Sequence, residues 1–343
     1  MRLHEIDRLR PIVIVLLIIM HAFTMYSGHN SGWPLPEGIS AVKGYWWIQQ
    51  LTYSCILELF TFISGYVYAF ALYGLHKNYR FLDILKNKAL RLLVPCIVFG
   101  VFYSLLLNED NVFGLEYIYK LLNGFGHLWY LTMLFEVFVF IFLLEHFVYS
   151  NKMKLIILVI VSMMSFIIPN YLQIAQTAYF SFFFFVGMIC FQNKEQIRLN
   201  ISLKKIAILW LIFLSSLVCL IMLKENLNEI ISTDNIYTTF VLREGIKKIS
   251  TILYSILGVL AFWTTSLFLS PQNSSKWISW FNRNCFGAYL FHQILLQYIY
   301  YETSMPLMLG TYMLPFVAFS ITIPASFVLS DFCSKIKYIN KII

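Results

Sequence analysis

Along most of the chain, polar positions are punctuation between long apolar runs. Ten stretches are dominated by Leu, Ile, Val, Phe and Tyr, at roughly 10–27, 48–73, 90–107, 127–149, 154–169, 173–191, 204–223, 248–270, 284–301 and 308–334. A hydrocarbon core about 30 Å thick demands about 17 to 25 apolar residues of a helix that crosses it. The same core leaves no water for backbone amides, so the crossing segments must bond internally. The pattern therefore predicts an all-α integral membrane protein of about ten transmembrane helices, the fifth and sixth divided only by the Pro169–Asn170 turn.

Charge gives the orientation. With the N-terminus inside, nineteen of the 25 lysines and arginines fall on inner segments. The six outer ones are Lys43, Lys120, Lys224, Arg243, Lys247 and Lys248. Short cytoplasmic loops collect cations, so both termini are expected in the cytoplasm. Trp33, Trp46 and Trp47 fall on outer segments, as aromatic belts at a membrane surface do. The longest outer loop is expected at about Lys224 to Lys247, with mixed charge.

Composition narrows the class. The chain has 59% hydrophobic and 12% charged residues, against about 25% charged in soluble domains. The net charge of +8 would suit nucleic acid, but the cations sit in short clusters between apolar runs, so no nucleic-acid partner is expected. Six cysteines, none in a C-x-x-C pair and none at metal spacing with histidine, read as small packing residues, and no metal is expected. No small-residue cleavage site follows the first apolar run, which reads as a retained span. No linker, soluble domain or internal repeat interrupts residues 1–343, so one polytopic membrane domain is expected.

Against this background the ionisable side chains inside spans stand out, because each costs at least about 2.5 kcal/mol unless paired or facing a cavity. They are His21, Glu58, Glu136, His146 and His292. Glu145 and His146 lie near the inner end of the fourth span and are expected to be solvated. Arg10 precedes His21 by eleven residues. Eleven helical steps amount to about three turns plus 20°, which puts both side chains on one face about 16 Å apart. A cation at the edge with an imidazole deeper in resembles the wall of a cavity. Imidazole titrates near neutral pH and could take a proton from a hydroxyl there. The plain alternatives are a snorkelling arginine and a packing histidine.

At these residues the chain resembles the bacterial membrane acyltransferase family 3. The arginine, ten residues and histidine on the first span (Arg10, His21) and the lead-in HEIDRLR carry the likeness. So do LFTFISGYVY from Leu59, KNKALRLLVP from Lys86, HLWYL from His127 and FGAYLFHQ from Phe286. Three positions depart from the family pattern: Pro11 in place of glycine, Lys88 in place of arginine, and the charged Glu58. Pro11, in what reads as the first helical turn, is expected to be harmless.

The resemblance implies an O-acetyltransferase of a bacterial cytoplasmic membrane. Such an enzyme moves an acetyl group from cytosolic acetyl-CoA to a hydroxyl of a surface glycan or its lipid-linked precursor. Arg10 with Lys86, Lys88 and Arg91 would hold the donor's phosphates. His21 would be the general base or a transient acyl acceptor, oriented by Glu58 or another carboxylate. Ser64, Tyr68 or backbone groups beside Gly65 would stabilise the oxyanion, and Ser64, His127, Trp129 and His292 would line the acceptor path. The partners expected are the glycan acceptor and membrane lipids, with a homo-oligomer left open. A flippase for a polysaccharide intermediate is the rival reading, although the chain lacks the paired half-repeats common in transporters.

Overall fold

A computed structural model describes residues 3–27, 33–106, 114–231, 236–270, 275–337 and 339–341. Among these the chain is helical, with no strand. The α-helices run α1 His4–Phe23, α2 Lys43–Tyr53, α3 Ile56–Ala69, α4 Phe81–Lys88, α5 Val94–Leu106, α6 Leu115–Asn123 and α7 Trp129–Phe147. They continue as α8 Asn151–Met164, α9 Ile174–Gln192, α10 Lys194–Asn200, α11 Leu203–Ile230, α12 Ile236–Leu269, α13 Lys276–Tyr301 and α14 Met305–Cys333.

Eight helical stretches among the described residues are long and apolar enough to cross a membrane, and the protein is a multi-pass integral membrane protein. Two of the ten expected spans fall outside those eight, for different reasons. The fifth is α8, whose 14 residues reach only about 21 Å. The ninth lies in α13, which has 26 residues but carries Asn284, His292, Gln293 and Gln297 on its way through. The expected outer loop from Lys224 to Lys247 is also different: α11 continues to Ile230 and α12 begins at Ile236, with 232–235 outside the described residues. The Arg243 guanidinium Nε donates to the Ile231 carbonyl at 2.8 Å, satisfying a group just past the end of α11.

By contacts the chain forms two compact units, residues 1–56 with 270–343, and residues 57–269. In the first, α1 packs on α2, α13 and α14. Its buried stripe Ile6, Leu9, Val13, Leu17 and Met20 recurs every three or four residues, as one face of a helix requires. Pro11 stands well inside α1, since the helix begins at His4 rather than at the apolar run. Its missing N–H removes the bond that the Asp7 carbonyl would otherwise accept. A parallel case in α14 shows how the fold repairs such a gap. Pro315 cannot donate to the Thr311 carbonyl, and the Tyr26 hydroxyl donates to that oxygen instead at 2.8 Å. One residue before Thr311, Gly310 has φ +65° and breaks the helix, a conformation that suits a residue without Cβ.

In the second unit α3 and α9 approach almost backbone to backbone. A Cβ on Gly65 would overlap the Phe184 carbonyl, and one on Gly187 would overlap the Phe62 carbonyl. Small residues at such a crossing let two helices gain van der Waals contact that lipid cannot supply. Around the crossing, Phe62 and Tyr66 pack on Trp263 of α12, with ring centroids 5.8 and 6.0 Å away. The Trp210 indole of α11 donates to Thr265 of α12 at 2.9 Å.

Candidate active site

Within the first unit, α1 and α13 bring His21 and His292 together. His292 Nε2 lies 3.2 Å from His21 Nδ1, and the two ring centroids are 5.0 Å apart. His292 is fully buried and His21 half-buried. Each ring is also tied to its own helix: His21 Nδ1 is 3.1 Å from the Leu17 carbonyl, and His292 Nδ1 is 2.6 Å from the Tyr289 carbonyl. Trp33 lies across His21 at a centroid distance of 6.1 Å with the planes 30° apart. It meets Tyr300 edge-on at 6.2 Å. The Tyr300 hydroxyl donates to the Ala22 carbonyl at 2.7 Å, which fixes α13 against α1 one residue past His21.

Nearer the start of α1, Asp7 is buried and its Oδ1 accepts from the Asn282 amide of α13 at 2.6 Å. Arg10, half-buried, follows Asp7 by about one turn of α1. Asn284, also on α13, is buried and its Oδ1 accepts from Ser330 of α14 at 3.2 Å. This polar stretch of α13 is the reason its apolar density falls short of the other long helices.

The remaining candidates belong to the second unit. Glu58 is buried, and its Oε1 accepts from the Tyr179 hydroxyl at 2.7 Å and the Ser255 hydroxyl at 3.2 Å. The Lys248 ammonium stands 4.4 Å from the centre of the Tyr179 ring. Lys88 is half-buried with its ammonium 3.6 Å above the Phe138 ring centre, whereas Lys86 and Arg91 are exposed. Ser64 donates to the Phe60 carbonyl one turn back, and Gly65 is taken up by the crossing with α9. His127 is buried edge-on against Tyr103, and Trp129 leans on Tyr130 and Phe180. Glu136 accepts from Thr177 at 2.7 Å, a helix-to-helix bond. Glu145, expected in solvent, is instead ion-paired at 2.6 Å with Lys154, whose side chain is 5% exposed.

Of the expected site residues, then, the fold pairs His21 with His292, and it adds Trp33, Tyr300 and Asp7, which the sequence did not single out. Trp33 carried only the general signal of an interface aromatic. Asp7 stood within the HEIDRLR lead-in without a reason to be buried.

The family model described as an acyltransferase domain matches residues 3–334. No curated protein and no solved structure matches the chain.

Proposed function

This chain belongs to the membrane acyltransferase family 3 and is an acyltransferase, and we propose that it moves an acetyl group from cytosolic acetyl-CoA to a hydroxyl of a cell-surface glycan or its lipid-linked precursor. The membrane would be the bacterial cytoplasmic membrane. A thioester is made only inside the cell, whereas a surface glycan is completed outside, so a transferase embedded in the membrane fits both substrates. The observation that carries the reading is His21 itself. It is a half-buried imidazole inside the first span, held at Nδ1 by a carbonyl and by a second histidine. A membrane helix tolerates such a group at a cost that a role in proton transfer accounts for.

In this reading His21 takes the proton of the acceptor hydroxyl as its oxygen attacks the thioester carbonyl. The C–S bond breaks, and the leaving CoA thiolate takes the proton back from the imidazolium. Arg10, eleven residues earlier on the same helix, is assigned to a donor phosphate, for which a guanidinium offers a two-pronged charge-assisted contact.

The test is proton NMR of O-acetyl groups on the host's surface glycan. A deletion strain is complemented with the intact protein or with His21→Ala, at equal amounts in the membrane. Acetyl signals restored only by the intact protein are expected. Full restoration by His21→Ala would exclude the mechanism. A deletion that removes the polymer from the surface but leaves its acetylation unchanged would point to transport instead.

A further inference from the structure

The carbonyl contacts of the two histidines give each ring a tautomer that satisfies them. Carbonyl oxygens only accept, so His292 Nδ1, at 2.6 Å from the Tyr289 carbonyl, carries its hydrogen. A neutral His292 then has its lone pair on Nε2, the atom facing His21. His21 Nδ1 has acceptors on both sides, the Leu17 carbonyl at 3.1 Å and His292 Nε2 at 3.2 Å. It therefore carries a hydrogen shared between them. With Nδ1 protonated, neutral His21 has its lone pair on Nε2. The reverse arrangement would set the Nδ1 lone pair of His21 against the Leu17 carbonyl oxygen.

We infer that His292 is a positioning residue, which fixes His21 as the Nδ1–H tautomer so that Nε2 is the atom that does the chemistry. The inference rests on the proposed role of His21 as general base. His292 occupies the place that a carboxylate holds in a serine-protease triad, where it fixes the imidazole's tautomer. Here the acceptor is a neutral ring, and no second charge has to be buried inside a membrane helix. When His21 Nε2 takes the hydroxyl proton, the Nδ1–H bonds to His292 and Leu17 become charge-assisted and strengthen with the developing cation. As the new C–O bond forms and the C–S bond breaks, the Nε2 proton passes to the CoA thiolate, and His292 ends the cycle unchanged. This gives His292 a place beside the base rather than along the acceptor path.

The experiment uses the full-length protein in lipid nanodiscs. Acetyl-CoA is the donor, and the lipid-linked glycan fraction extracted from the host's own membranes is the acceptor. His292→Phe keeps an aromatic ring but offers no acceptor, whereas His292→Gln offers an amide oxygen at the position of Nε2. The Phe variant is expected to lose about 100-fold or more in kcat, with KM for both substrates within about threefold. The Gln variant is expected to recover at least about tenfold of that loss. An unchanged kcat in the Phe variant would mean that the ring is held without His292, and would overturn the inference. So would a raised acceptor KM with kcat intact, or a Gln variant no better than Phe. If His292→Phe does not fold, 15N-histidine NMR of the intact protein decides, with the His21 resonance identified by its loss in His21→Gln. A signal from His21 protonated at Nε2 rather than Nδ1 overturns the inference. A fully active His21→Ala would instead remove the base itself, an outcome distinct from any of the His292 results.

Discussion

Glu58 shows how a single buried carboxylate is made tolerable inside a helical membrane unit. Two hydroxyls, from Tyr179 on α9 and Ser255 on α12, converge on one of its oxygens. Each such bond contributes about 0.5–1.5 kcal/mol, and leaving a buried acceptor short of a partner costs about 1–3 kcal/mol. Tyr179→Phe should therefore lower stability by about 1–3 kcal/mol, seen as a lower melting temperature in detergent. Glu58→Gln should melt close to the intact protein, since an amide oxygen still accepts from both hydroxyls. A Tyr179→Phe protein as stable as the parent would show that the carboxylate does not depend on that bond. Lys154 and Glu145 make the complementary point: a lysine this deeply covered has a carboxylate at 2.6 Å, and that partner is drawn out of solvent with it.

The helices meet in two different ways. In the first unit, tyrosine hydroxyls reach across to backbone carbonyls of a neighbouring helix, as Tyr26 does at the Thr311 carbonyl opposite Pro315 and Tyr300 does at the Ala22 carbonyl. Rings supply the area and hydroxyls the register, so α1, α13 and α14 hold one alignment and His21 meets His292. In the second unit, the α3–α9 crossing relies on the absence of side chains at Gly65 and Gly187. Gly65→Ala and Gly187→Ala should each cost about 1–3 kcal/mol by forcing the helices apart. The double variant should cost clearly less than the two together, because a helix already displaced has room for the second methyl. Denaturant melting in detergent reads both quantities. Strict additivity would show that each glycine answers to its own surroundings rather than to a shared crossing.

Across the whole chain, the two ends belong to one unit and the middle to another. The histidine pair joins residues 271 positions apart, so the site exists only once both ends of the chain have folded. The polar α13 is the helix whose crossing most needs a direct test. Its 26 residues span about 39 Å, enough for a hydrocarbon core of about 30 Å. In a background without the six native cysteines, Lys276→Cys and Ser304→Cys should react with a membrane-impermeant maleimide from opposite sides. Arg2→Cys and Lys337→Cys should both react only after the membrane is opened. Labelling of the α13 pair from one side would remove this helix from the count of crossings.

Hydropathy alone was enough for the membrane, the helical class and most of the spans, because lipid imposes one requirement on every crossing segment and local sequence meets it. The Arg10–His21 spacing was legible for a similar reason, since eleven residues on one helix have a fixed geometry whatever surrounds them. Helix facing was not legible. α7, α9 and α14 are apolar nearly all round, and a leucine is as well placed against lipid as against another helix. Hydrophobic periodicity therefore could not say that His292 faces His21, that Trp33 lies over the imidazole, or that Gly65 and Gly187 are where two backbones touch. Those pairings depend on shape and on hydrogen-bond partners far apart in the chain, which become definite only when the helices pack.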